Sequence, residues 1–169
     1  SRSQPAWHGL GTIFPAEEDI PPSDAVKRVA GDVRIVARPV YCELEPGKPT
    51  VRMTGSQAIV RLPTVDAPEP EFLGVTTERW IATSYPELAR ALDHLNHGVY
   101  KVETAGLLRG GANCFVTLRG EDWDVLGDEM RTYFAACLSL EPGVGHRVLH
   151  TPVRVVCWNT QVMAEAQSG

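Results

Sequence analysis

The sequence has no C-x-x-C pair, no apolar run near the ~20 residues needed to cross a bilayer, and little lysine. Its four cysteines, Cys42, Cys114, Cys137 and Cys157, are widely spaced, which argues against a sequence-local zinc or redox motif. Cys114, Cys137 and Cys157 sit inside apolar runs, the usual setting of buried free thiols. Reduced cysteines and a cytoplasmic setting are therefore expected. No signal peptide is visible, and the chain opens on Ser1 rather than Met, as a trimmed chain would. No membrane partner is expected. Also absent are G-x-x-x-x-G-K-[ST], H-E-x-x-H, G-x-S-x-G and the dinucleotide fingerprint. No cofactor, metal or catalytic residue is assigned, and the reading leans away from an enzyme.

At 169 residues, 43% hydrophobic and 22% charged, the chain suits one α+β domain over residues 1–169, long enough to bury a core without disulfides or metal. The net charge of −5 argues against a simple cationic nucleic-acid binder. Distribution qualifies that argument. Acids bunch in segments that read as loops, at 17–19, 66–71, 121–124 and 128–129, whereas many arginines fall in or beside expected strands. Thirteen of the sixteen basic residues are Arg, a bias that favours bidentate contacts with phosphate or carboxylate and that an Arg-rich codon usage explains equally well.

Residues 1–22, with Pro5, Pro15, Pro21 and Pro22, read as an irregular N-terminal arm. Ser23 or Asp24 caps a short helix to about Ala30. Strands are expected over Val33–Ala37 and Val40–Leu44, bent at Pro39. Two more, Thr50–Met53 and Gln57–Leu62, flank a Thr54-Gly55-Ser56 turn and complete a meander. Residues 63–70 read as an exposed loop and Phe72–Val75 as a short strand. A helix begins after Ser84, with Leu88, Ala91, Leu92 and Leu95 facing the core and Gly98 as its stop.

At the centre, Glu103–Arg119 has the form of a β-hairpin, with Val99–Ala105 against Asn113–Leu118 and Arg109 beside Gly110 and Gly111. Gly120–Asp124 then reads as an acidic turn and Met130–Leu140 as a long strand. Glu141–Gly145 turns the chain into His146–Leu149. Thr151-Pro152 starts a helix in which Val153, Val156, Cys157, Thr160 and Ala164 share a face; a strand through Val156 and a shorter helix is the alternative. The fold class is α+β, a mainly antiparallel sheet (meander plus central hairpin) packed by two or three helices. His94 and His97 share a helix face but have no third ligand nearby in sequence. Cys157 with His146 or His150 is the only sequence-close thiol–imidazole pair, and its place on an apolar stripe makes it a packing residue.

Three blocks in register carry a resemblance. Pro5-Ala-Trp-His-Gly-Leu-Gly11, Glu103-Thr-Ala-Gly-Leu-Leu-Arg-Gly-Gly111 and Thr151-Pro-Val-Arg-Val-Val-Cys-Trp-Asn-Thr160 resemble the opening, central and C-terminal motifs of the phage/plasmid-like proteins, also called domain of unknown function 932. Leu73–Trp80 looks like that family's strand and turn before its middle helix. One departure is Leu138-Ser-Leu-Glu-Pro-Gly-Val-Gly145, where relatives often carry a His- and Asp-containing segment. The resemblance implies a mobile genetic element and a DNA-metabolism accessory protein of the single-strand-annealing kind. Its partner would be single-stranded DNA, with a homo-oligomer as a further expectation. The implied contacts are Lys101, Arg109, Arg119, Arg147 and Arg154 to phosphate, with Trp80 or Trp158 stacking bases. A structural or protein-interaction module of a mobile element stands as the alternative, and an enzyme with an unrecognised site as the third reading.

Overall fold

The computed structural model describes residues 9–96 and 99–154, with side chains at all of these except 96, 128–129 and 151–154. Its elements are β1 (Thr12–Ile13), α1 (Pro22–Ala30), β2 (Ile35–Cys42), β3 (Val51–Arg61), β4 (Glu71–Thr77), α2 (Tyr85–Asp93), β5 (Lys101–Leu108), β6 (Asn113–Val125), β7 (Asp128–Ser139) and β8 (Arg147–Arg154). A five-stranded sheet runs β1-β5-β6-β7-β8 and a three-stranded sheet runs β2-β3-β4. Every pairing is antiparallel. The chain is therefore α+β and mainly sheet, as its patterning predicts.

The core forms where α1 and α2 pack on each other and on β5, β6 and β7. Ala25 and Val26 of α1, Ala89 and Leu92 of α2, and Val116 and Leu118 of β6 meet Ile35 and Ile59 of the smaller sheet in one apolar cluster. At α2, Ser84 Oγ accepts the Glu87 N–H at 3.4 Å while the Glu87 carboxylate accepts the Ser84 N–H at 2.9 Å, the reciprocal box its sequence predicts. Hydrogen bonds from Ser84, and then from Thr83, hold the Glu87 carboxyl below its ordinary range.

Several expectations need correction. The N-terminal arm is not wholly irregular: Thr12 and Ile13 pair with Ala105 and Thr104, and Phe14 and Ile20 are buried. The cap of α1 is Pro21, without a side-chain bond, because Ser23 already lies inside the helix and bonds elsewhere. Thr54–Ser56 does not reverse the chain. β3 is continuous, and residues 53–56 bulge opposite β2 between the Pro39↔Gln57 and Tyr41↔Arg52 pairs, a bulge that the φ of +81° at Gly55 makes possible.

On α2, Ala91 is exposed and Ala89 takes the buried place, so the buried stripe runs Tyr85, Ala89, Leu92. Gly120–Asp124 belongs to β6. A Cβ on Gly120 would stand 2.7 Å from the Tyr100 ring, so that glycine permits close packing rather than a turn. The reversal comes at Leu126-Gly127, whose φ values of 57° and 87° fit a two-residue type I′ hairpin. Thr151–Arg154 continues β8 instead of starting a helix: Pro152 pairs with Thr132 on an edge strand, where a missing N–H costs little. The remainder of that expected helix, with Cys157 and Trp158, lies outside the described residues, as do His8, His97 and Gly98.

Candidate functional site

The central hairpin forms as expected, with Leu108 opposite Asn113. Its tip is a tight turn in which Arg109, Gly110 and Gly111 all have positive φ, of 51°, 63° and 96°. Glycine adopts such angles freely and arginine does not. The tip is held from three sides. Tyr85 Oη donates to the Gly111 carbonyl at 2.8 Å, and burial pushes that phenol far above its ordinary range. A guanidinium of Arg109 donates to Glu141 Oε2 at 3.0 Å, and Asn113 Nδ2 donates to the same oxygen at 3.4 Å. Arg61, 4% exposed, lies beneath Gly111. It donates to the carbonyls of Leu62, Ala67 and Glu69 and pairs with Glu71 at 3.3 Å.

Beside the tip a cleft of about 350 Å³ is lined by Trp80, Ile81 and Thr83 on one wall and by Ser139, Glu141 and His146 on the other. His146 Nδ1 accepts the Ser139 N–H at 3.3 Å, and Ser139 Oγ accepts the Glu141 N–H at 3.2 Å. These groups mainly brace the β7–β8 turn. Trp80, an expected stacker, packs partly against the core. Among the described residues no group of three or more His, Cys, Asp or Glu is placed to hold a metal ion.

The expected phosphate contacts divide between the two ends of the large sheet. Lys101 and Arg119 are direct cross-strand partners, seven positions along β5 from the tip, or about 23 Å. Lys101 pairs with Asp19 at 2.9 Å, and Arg119 pairs with Asp122, which also faces Arg131 at 3.4 Å. Next in that row Tyr133 donates to Glu103 Oε1 at 3.4 Å. Burial, and then the Glu103 charge, push the Tyr133 phenol up to about 12. Arg154 stands opposite Met130 near the end of the β6–β7 ribbon. That ribbon carries Glu121, Asp122, Asp124, Asp128 and Glu129 in its strands, not in loops as expected. Arg147 is exposed at the tip end, opposite Cys137. Lys101, Arg109 and Arg119 thus already have a carboxylate partner, and the five positions are not gathered in one place on the sheet.

Two features escaped the sequence: the burial of Arg61, and the place of Phe72 beside Arg34 and Arg38 on the outward face of the small sheet. Strand alternation alone puts Arg34 and Arg38 on one face; the exposure of Phe72 required the β3–β4 register.

Residues 72–169 match the family described as a domain of unknown function (DUF932). The chain belongs to that family. The DUF932 match begins on β4 and takes in α2, the hairpin tip, the cleft and β8, leaving α1, β2 and β3 outside it. The Pro5–Gly11 block falls outside it as well. No curated protein and no solved structure matches the chain. Among the described residues no helix is long and apolar enough to cross a membrane.

Proposed function

We propose that the chain binds single-stranded nucleic acid, as an annealing or accessory protein of DNA metabolism on a phage- or plasmid-type element. Lys101, Arg109, Arg119, Arg147 and Arg154 are the phosphate contacts in this reading. The observation that carries it is the pairing of Lys101 with Arg119. Like charges directly opposite each other on a sheet are unfavourable, and an anionic ligand gives such a pair a purpose. The present partners are weak competitors. Lys101 and Asp19 are 41% and 65% exposed, and exposed pairs contribute only about 0.2–1 kcal/mol, so a phosphate can replace the aspartate.

Labelled single-stranded DNA titrated at two salt concentrations tests the reading. Binding that weakens steeply with salt is expected, and Arg109→Ala weakens it further while leaving the melting temperature nearly unchanged. Binding absent at low salt, or indifferent to salt, sinks the proposal.

A second reading, an assembly module of the same kind of element, draws on Tyr41, Leu44, Val51 and Met53. These are 58%, 72%, 51% and 48% exposed at the outer end of the β2–β3 hairpin. Sedimentation at several concentrations tests it.

A further inference from the structure

The three-stranded sheet turns one face into the core and the other to solvent. Ile35, Ala37, Ile59 and Leu73 lie on or against the core. Register then fixes the outward rows: Val36, Val60 and Phe72 in one, Arg38, Ala58 and Val75 in the next. Alternation along the chain adds Arg34 to the same face, and its carbonyl accepts the Leu62 N–H at 2.8 Å. Phe72 is 64% exposed and Val75 52%. Single exposed apolar side chains are ordinary, but an aromatic and several valines in adjacent rows form a patch that calls for a ligand.

The charge on this face differs from that around the central hairpin. Arg34 and Arg38 are both exposed, and neither forms an ion pair with a described residue. Arg38 turns one amino group onto the Ala37 carbonyl at 3.0 Å; Asp32 borders the same shallow depression as Arg34 without bonding to it. Four residues apart along an extended strand, the two guanidinium groups leave the sheet about 13 Å from each other. No carboxylate stands in the two outward rows.

We propose that this face is the base-stacking surface for single-stranded DNA. Phe72 supplies the ring on which a base lies, Val36, Val60 and Val75 supply the apolar floor, and Arg34 and Arg38 hold phosphates along one border. A duplex hides its base faces from such a surface, whereas an open strand presents them. The two rows offer no hydroxyl or amide that would favour a 2′-OH, and the ligand proposed is single-stranded DNA. This inference rests on the nucleic-acid reading above and adds to it the place where bases sit, on a surface that joins a family-matched strand to two strands outside the match.

The test is a labelled oligo(dT) titrated against six proteins at two salt concentrations, with a thermal melt of each. They are the wild type, Phe72→Ala, Phe72→Leu, Phe72→Tyr, the pair Arg34→Ala with Arg38→Ala, and the pair Arg109→Ala with Arg147→Ala. Phe72→Ala should lose about tenfold in affinity with the salt slope unchanged. Phe72→Leu should lose nearly as much and Phe72→Tyr should bind like wild type, so the result survives if the alanine variant folds poorly. The Arg34/Arg38 pair should lower the slope of log affinity against log salt by about 1.4, at ~0.7 per contact.

Wild-type binding with the Phe72 and Arg34/Arg38 variants unaffected, and only the Arg109/Arg147 pair impaired, overturns this surface and leaves the broader reading standing. No wild-type binding at low salt overturns both. A Phe72→Ala protein that binds DNA normally but no longer self-associates makes the face the seat of a second copy, and the inference fails.

Discussion

Asp93, the last residue of α2, caps α1. Its Oδ1 accepts the Ser23 N–H at 2.9 Å and its Oδ2 accepts the Ser23 hydroxyl at 2.7 Å, across 70 positions of sequence. The free N–H groups of a helix N-terminus are usually met by a local side chain; here the acceptor comes from the neighbouring helix. The negative charge also sits well at the positive end of α1. Asp93→Ala should cost about 1 kcal/mol, the size of a lost N-cap. Ser23→Ala, which keeps the N–H bond, should cost less. Urea unfolding of both variants checks the order, and equal losses would mean that the hydroxyl carries the whole contact.

The hairpin tip depends on one buried hydroxyl. Tyr85 is fully buried, and its bond to the Gly111 carbonyl links α2 to the turn that presents Arg109. Tyr85→Phe leaves that acceptor unsatisfied, at a cost of about 1–3 kcal/mol. Amide exchange at the tip should speed up more than exchange on β7. Uniform acceleration would show a global effect and no local link.

At the far end of β6 the chain carries avoidable strain. Leu126 has a φ of 57° and its side chain is fully exposed, so it bears the left-handed penalty and gains nothing from burial. Asparagine tolerates that conformation, and Leu126→Asn should stabilise the protein by about 0.5–1 kcal/mol, a fraction of the cost of left-handed backbone. A melting temperature that does not rise refutes the assignment of this turn.

High pH should unfold the protein early. Burial pushes the Cys114 thiol from 9.0 up to about 12, and Tyr133 rises from 10.0 to about 12. Between these limits the unfolded chain has released protons that the folded chain still holds, so stability falls as pH rises. The contribution is complete below about pH 9 and disappears towards pH 12. The urea midpoint should drop over that window, and the drop should flatten in a Cys114→Ala, Tyr133→Phe double variant. An unchanged slope in the double variant would assign the loss to other groups.

Glycine shows why some of this structure was legible in sequence and some was not. Gly110 and Gly111 read correctly as a hairpin tip because apolar runs flank them on both sides. Gly55 and Gly120 gave the same local signal, yet one serves a bulge and the other makes room for Tyr100. A partner strand distant in sequence decides among these roles. The same holds at Thr151-Pro152, whose helix-start signature yields because β8 is an edge strand. Local chemistry sufficed where it closes on itself, as in the Ser84–Glu87 box. The cationic residues were legible as cations but not as a site, since Asp19 and Glu141 reach Lys101 and Arg109 from distant segments, and Asp122 reaches Arg119 across an irregularity within β6. The Phe72 face appeared only with the register of three strands.

The clasp of Thr12 and Ile13 on β5 has a bearing on how the protein is made. At translation rates of about 5–20 residues per second, Thr12 leaves the ribosome roughly 5–20 seconds before Ala105, its partner, exists. Until then Phe14 and Ile20, both buried at the end, have no β5 to cover them. The segment 12–20 is thus seated only after β5 has been made, and the nascent chain carries it uncovered while the intervening residues are synthesised.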